Sequence, residues 1–462
     1  MRFFNIVLLS IYVIAFLFGP GQGSPATAAS TSGQPAAEIM QSPSPAPAAT
    51  LTLARAKKIA LENSPTIEAA KENVIQAMET INRARADYLP TVGLSSSWDY
   101  TETTDTSSPS ASENQYTNKI SVTQVLFQGF YRKYNALAAR YGEKASLAAR
   151  EDARRILAWS IAQSFLNVQL AAENIRIARS DMDFNREQEK EAIAKERLGT
   201  GSYSDVLNYK TRVNSAKASL IEAGQSYKEY SYGLAALMGY REARLPRGME
   251  VQALTASPRW GDPVREKELA SDISAALADR PDLKEDEFAV QEAEAGINRE
   301  KSGYFPTISL VGGYGGSGID EFNGLGDSDN MGASVGISLS FEIFSGGATR
   351  SAVRKAVSEK RELAQVRKEA RITAASEIRS ALSKVDSARQ ALELQRENTS
   401  LVETTRDLVQ KEYRAGQASL VRMNEAQNDL VAAQGDLADA SVALVLALEE
   451  LDYYTGRNIS QP

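Results

Sequence analysis

The 462-residue sequence contains no cysteine and no histidine. Without cysteine there is no disulfide framework, no thiol nucleophile, no haem-attachment motif and no lipoprotein anchor. The two absences together exclude a Cys/His zinc site, and a chain without imidazole cannot build a Ser-His-Asp triad. Carboxylate chemistry survives, but no motif brings two acids to one cleft, and no Gly-x-x-x-x-Gly-Lys-Ser/Thr phosphate loop is present. Positive charge is also short: Lys+Arg total 52 against 59 Asp+Glu, a net charge of −7, with no footprint of nucleic-acid binding. The expectation is a chain with no catalytic group, no cofactor and no metal. Aromatics are only 7%, while Ala and charged residues abound, a composition that suits long helices or coiled coil.

Long hydrophobic runs are confined to the start. Arg2 is a short positive region, Ile6 to Phe18 is apolar, Pro20-Gly21 breaks it, and Ala26-Thr27-Ala28 offers small residues for cleavage. Residues 1–28 are therefore expected to be a secretory signal, too short in its apolar part for an anchor of about 20 residues. Cleavage would remove one positive charge and no acid. Residues 29–50, with Ser42-Pro43-Ser44-Pro45-Ala46-Pro47, are expected to be a disordered linker. Later, the longest unbroken apolar run is Val442 to Leu448. Any membrane crossing after the signal is therefore expected to use β-strands.

The chain repeats itself. Ala60-Leu61-Glu62-Asn63-Ser64-Pro65 parallels Ala276-Leu277-Ala278-Asp279-Arg280-Pro281. At the same offset Ile81-Asn82-Arg83 meets Ile297-Asn298-Arg299, and Tyr88-Leu89-Pro90-Thr91 meets Tyr304-Phe305-Pro306-Thr307. One residue further, Leu126-Phe127-Gln128-Gly129 meets Ile343-Phe344-Ser345-Gly346, and Arg197 to Ser202 meets Arg414 to Ser419. The expected organisation is a first repeat over 51–240, a connection over 241–265, a second repeat over 266–456 and a tail over 457–462.

Each repeat reads as helix, two strands, long helix, tight turn, helix. Opening helices are expected over Leu53 to Asp87 and Glu266 to Ser302. Strands are expected at about 89–103, 116–128, 304–316 and 331–344. Ala333, Val335, Ile337, Leu339, Phe341 and Ile343 alternate with Ser334, Gly336, Ser338, Ser340 and Glu342. Val92, Leu94, Trp98 and Tyr100 share a face, as do Ile120, Val122 and Leu126. Alternation alone fits a half-buried soluble sheet or a wall with lipid outside and water inside; export without a transmembrane helix favours the wall. The expected hairpin loops, Thr101 to Tyr116 and Gly315 to Asn330, hold Glu102, Asp105, Glu113, Asp320, Glu321, Asp327 and Asp329 and no Lys or Arg. They read as a solvated acidic rim. Asp327-Ser328-Asp329-Asn330 lacks the acid spacing of a calcium loop. Four strands cannot close a membrane barrel, whose smallest forms have about eight, so the chain needs partner copies.

The long helical stretches, Phe130 to Arg197 and Ala348 to Arg414, contain no proline and would each span about 100 Å. Return helices are expected over Tyr203 to Met238 and Ala418 to Tyr453. Two seams recur at threes and fours: Ala158, Ile161, Phe165, Val168, Ala172, Ile175, and Leu430, Ala433, Leu437, Ala440, Leu444, Ala447, Leu451.

Taken in this order, the duplicated Asn63-Ser64-Pro65 and Asp279-Arg280-Pro281 turns, strand entries, strand exits and helix turns resemble the TolC family of outer-membrane efflux ducts. The resemblance covers about residues 51–456. It implies a mainly α mixed fold: a homotrimeric transmembrane β-barrel, four strands per chain, continuous with a periplasmic α-helical barrel. It implies the outer membrane of a Gram-negative bacterium, contact with outer-membrane lipid, a periplasmic adaptor (membrane fusion) protein, and an inner-membrane pump of RND, ABC or MFS type. The expected work is passive exit from a tripartite efflux or type I secretion system, with a closed periplasmic tip that opens on engagement.

The far turns carry the site. Gly199 and Gly416 suit a left-handed helix end, with Arg197 and Arg414 before them and Ser202 and Ser419 as caps of the next helices. By the resemblance, Leu198-Gly199-Thr200 and Ala415-Gly416-Gln417 would face the adaptor. Acids six positions after the turn glycine would point into the pore; Asp205 matches, whereas Arg422 stands in the second repeat, with Glu425 three residues on. Arg422 is expected to pair with Asp205 or Glu425 as a latch of mixed charge. The competing readings are a structural coiled-coil envelope protein without channel activity and a carboxylate hydrolase. The first leaves the strands unexplained, and the second lacks converging acids.

Overall fold

The computed structural model describes residues 49–103, 111–254, 273–319 and 331–457. The expected signal, most of the linker and the acids Asp105, Asp320, Glu321, Asp327 and Asp329 lie outside the described residues. Part of the 241–265 connection and of the 457–462 tail does too.

The two repeats appear as two sets of the same elements. The first holds α1 (Leu53–Asn63), α2 (Pro65–Ala86), β2 (Thr91–Thr103), β3 (Ala111–Gln128), α3 (Tyr131–Arg197) and α4 (Tyr203–Leu237). The second holds α5 (Ile273–Asp279), α6 (Pro281–Glu300), β5 (Thr307–Ile319), β6 (Met331–Ser340), α7 (Ala348–Arg414) and α8 (Leu420–Tyr454). Two short strands, β1 (Ala49–Leu51) and β4 (Met249–Val251), pair in parallel across the first repeat.

Several boundaries correct the expectations. The opening helices are not continuous. Pro65 and Pro281 force Ser64 (ψ 126) and Arg280 (ψ 123) into extended backbone, so each helix breaks there and restarts with proline in its first turn. The linker ends before Ala49, because Ala49 and Thr50 belong to β1 and the Leu51 carbonyl accepts from Gln252 N–H at 3.0 Å. The hairpin loops are shorter than expected: Glu102 and Glu113 already lie in strands, and β5 reaches Ile319. The last strand is shorter, stopping at Ser340, so Phe341, Ile343 and Phe344 lie beyond it, exposed. α8 starts at Leu420 because Ser419 is its cap.

The four long strands form one antiparallel sheet in the order β2-β3-β5-β6. Its register sorts the residues by face, since directly paired residues share one. On one face lie Val92 and Leu94, Val122 and Ile120, Leu310 and Tyr314, and Val335, Ile337 and Leu339. On the other lie Ser95 and Ser97, Thr117 and Ser121, Gly313 and Gly315, and Ser334 and Ser338. The apolar face is uncovered; Ile337 is 73% exposed. A bulge between Val125 and Phe127 shifts the register near the helix side, before Phe127 and Gln128 pair again with Ile308 and Thr307. Arg132 holds it, donating to the Val125 carbonyl at 2.7 Å and the Leu126 carbonyl at 2.8 Å while its guanidinium lies over the Tyr88 ring.

The helices pack as antiparallel coils around α3, which contacts α2 and α6 toward the sheet and α4 and α8 beyond. α7 lies against α6 and then α8. Leu51, Ile67, Leu157, Ile161, Phe165 and Leu234 make one core, and Ile378, Val385, Leu392, Leu444 and Leu451 another. The α8 seam is largely buried as expected, although Leu437 is only partly so. The α3 seam is buried through Val168; beyond it Ala171 and Ile177 replace Ala172 and Ile175. α8 is long and apolar enough to cross a membrane by length and composition, which a search for unbroken runs misses. Half of its apolar stretch is buried within the chain, as in a core helix.

Where the helices meet at mid-length, buried charges join four of them. Arg155 of α3 pairs with Asp152 at 2.6 Å and Asp282 of α6 at 3.4 Å, and donates to the Tyr453 carbonyl of α8. Arg280 shares Asp282 at 2.6 Å and reaches Glu377 of α7 at 2.8 Å. Burial opposes ionisation of Asp282, but the hydrogen bonds from Arg280 and the charge of Arg155 hold its carboxyl below the ordinary Asp range. A depressed pKa adds stability above the unfolded value and loses it as pH falls through the folded one. Asp282→Asn should therefore lower the thermal unfolding midpoint at neutral pH, at a cost of about 2 kcal/mol. The gap between variant and parent should close below about pH 4, as followed by helical circular dichroism.

Candidate functional site

The far ends of the coils are two helical hairpins built alike. α3 ends with Gly199 at φ 74, whose N–H donates to Glu196 O while Thr200 N–H donates to Lys195 O. α7 ends with Gly416 at φ 73, its N–H on Tyr413 O and that of Gln417 on Glu412 O. Both are Schellman turns, and both require the left-handed conformation that glycine adopts without strain. Ser202 accepts from Ser204 N–H at 3.2 Å and Ser419 from Arg422 N–H at 3.2 Å, so both serines cap the helices that follow. Arg197 and Arg414 sit in the last turns, where the helix dipole favours cations, and Asp205 sits in the first turn of α4, where it favours an acid. Leu198, Gly199, Thr200, Ala415, Gly416 and Gln417 are all exposed, forming the outermost surface of the coils.

The structure brings the two hairpins side by side. Arg414 donates to Glu191 at 2.8 Å, and Lys195 lies over the Tyr413 ring at 5.0 Å. Asn424 donates to Asn208, and Arg212 to Asn428; in each pair the partners stand 216 residues apart, one short of the 217-residue offset that relates the two tip turns. α4 and α8 thus meet side by side behind the turns. Gln427 and Asn185 both donate to Asp181. Tyr209 is fully buried beside Tyr413, and burial pushes its hydroxyl well above the ordinary phenol range, so it stays protonated.

Arg422 does not take the partners expected of it. Its guanidinium pairs with Glu412 of α7 at 3.4 Å, while Glu425 lies exposed on α8. Both members of that pair are largely solvated, which limits it to about 0.2–1 kcal/mol. Sequence reasoning missed Glu191, Glu412, Asn208 and Asn424. Neither the Asn208–Asn424 contact nor the α3–α7 bridge has a local signature, since each joins residues more than 200 apart. Among the described residues, no group of three or more acids is placed to hold a metal ion.

Residues 57–240 and 273–457 match the family model described as outer membrane efflux protein. The chain belongs to the outer membrane efflux protein family. It is 26% identical over 344 residues to the outer membrane efflux protein BepC of Brucella suis, spanning 73% of this chain and 71% of that one. It is 28% identical over 433 residues to the alkaline protease secretion protein AprF of Pseudomonas aeruginosa, spanning 86% and 83%. Its fold matches the crystal structure of the Campylobacter jejuni CmeC outer membrane channel with a TM-score of 0.74 at 17% identity, over 95% of this chain and 94% of that one. The chain is thus an outer-membrane exit duct that reaches into the periplasm, within a family of channel proteins. The structural coiled-coil alternative finds no support.

A side chain at a left-handed turn is strained by about 1–3 kcal/mol. Gly416→Ala should accordingly leave the sheet intact while raising amide exchange in the last turn of α7, measured by hydrogen–deuterium exchange.

Proposed function

We propose that three copies of the chain close a single conduit. The sheet would become a barrel of about twelve strands, the coils an α-barrel beneath it, and the hairpin ends a gate. The observation that carries this reading is that α7 has apolar stripes on two opposite faces and only one of them is covered. Ile378, Val385, Leu392 and Thr399 recur every seven residues and are buried within the chain. Leu394, Leu401 and Leu408 recur at the same spacing and are 67%, 60% and 54% exposed. A helix patterned in this way needs a second neighbour. Leu207 and Ile221, exposed on α4, are of the right kind to supply it. The sheet agrees: β2 and β6 each have one partner strand, and their free edges cannot stand in hydrocarbon.

The exposed turns Leu198-Gly199-Thr200 and Ala415-Gly416-Gln417 are the surface offered to a periplasmic adaptor, and an inner-membrane pump of RND, ABC or MFS type supplies the energy. The gate residues are Asp205, Arg422 and Glu425. Within one chain Arg422 turns back onto Glu412, so the latch is a shared one: opening the tip exchanges Arg422 between Glu412 of its own hairpin and acids of a neighbouring copy.

Two experiments test this. Ile337→Arg places a guanidinium on the apolar face at a cost of about 2–4 kcal/mol per copy near the bilayer midplane. It should abolish the heat-modifiable trimer on gel electrophoresis, whereas Ser338→Arg, on the polar face, should retain it; equal loss in both would refute the wall. Arg422→Ala should raise the closed-state conductance in planar bilayers. An unchanged closed state removes Arg422 from the gate.

A further inference from the structure

We propose that Lys119 is a specificity determinant of the conduit, its ammonium forming in three copies a cationic ring on the inner wall that favours anionic solutes. The inference rests on the closed wall proposed above.

Lys119 is the only cation in the described residues of the four long strands. The register places it in one row with Ser95, Gly315 and Gly332 on the polar face. The row below is Gly93, Ser121, Gly313 and Ser334, and the row above is Ser97, Thr117 and Ser317. Neither carries a charge. The nearest described acid on that face is Asp99, four residues along β2, or about 13 Å. Lys119 is exposed and has no ion pair among the described residues.

The glycines opposite it make room for the side chain. A Cβ on Gly313 would lie 3.0 Å from Lys119 Cε, and one on Gly315 would lie 2.7 Å from Lys119 Cα and collide with the Asn118 carbonyl. Neighbouring side chains therefore leave the lysine uncovered. An ammonium at this depth costs about 2–4 kcal/mol against lipid, so the face that carries it is the one that meets water. A wall charge acts within about 10 Å at 0.1 M salt and raises the local concentration of opposite charge. The favoured solutes are those bearing carboxylate, phosphate or similar anionic groups, drawn to a wall that is otherwise neutral Ser, Thr and Gly at this level.

The absence of native cysteine makes single thiols clean probes, and labelling from the outer end does not depend on the gate. In the full-length protein in lipid nanodiscs, Ser95→Cys should react with membrane-impermeant methanethiosulfonates, while Ile120→Cys, on the apolar face, should not. Equal reaction at both sites would overturn the closed-wall reading itself. With the wall upheld, the rate ratio of an anionic to a cationic reagent of similar size at Ser95→Cys reads the local potential. Any shift in the thiol's own ionisation cancels in that ratio. Adding Lys119→Gln should lower the ratio several-fold at 0.1 M salt and Lys119→Glu should lower it further. The difference should vanish at 1 M salt, where screening falls to about 3 Å. A ratio that Lys119→Gln leaves unchanged at low salt would overturn the proposal while leaving the wall intact.

Discussion

The structure depends on one constraint: a backbone hydrogen-bonding edge cannot be left open in hydrocarbon. Four antiparallel strands satisfy every internal edge and leave two, on β2 and β6. Closure by further copies satisfies both. The helices obey a second version of the same rule, since the exposed Leu394, Leu401 and Leu408 stripe of α7 is an apolar edge awaiting a neighbour. Sheet and coil thus both ask for partners.

The helices are thin-cored by design of their sequence. Ala-rich seams bring backbones close and leave broad polar faces, so each coil can line an aqueous passage on one side and pack on the other. Proline breaks at Ser64 and Arg280 let two shorter helices follow one long one without bending it. At that level the repeats differ in chemistry. The break in the first is sealed by Leu51, Ile67, Leu157 and Leu234; at the break in the second, Arg280 and Arg155 of α3 surround Asp282. Duplication preserved the elements while the contacts between them diverged.

Much of this was legible in the residues. Period-two alternation gave the faces of β6, and the register assembled them into one apolar and one polar surface. Absence of proline over α3 and α7 gave helices whose ends fell within a residue of expectation. The turn glycines and cap serines were readable because φ near 70° and an orphan N–H each select few residue types. Strand ends were less legible: Ser, Thr and Gly near the loops suit a strand facing water as well as a loop, so β3 and β5 ran further than expected.

Read along the chain, the residues carry an expected export signal, the duplication, the alternating strands, the long coils and the chemistry of the tip turns. These are properties of local periodicity, and local periodicity is written along the chain. It takes the three-dimensional packing to show that Arg422 meets Glu412, that Arg414 bridges to Glu191, and that Lys119 lies opposite glycines of another repeat. Such pairings join residues far apart in the chain. They are set by how helices and strands rotate against each other, and no pattern of neighbours records that rotation.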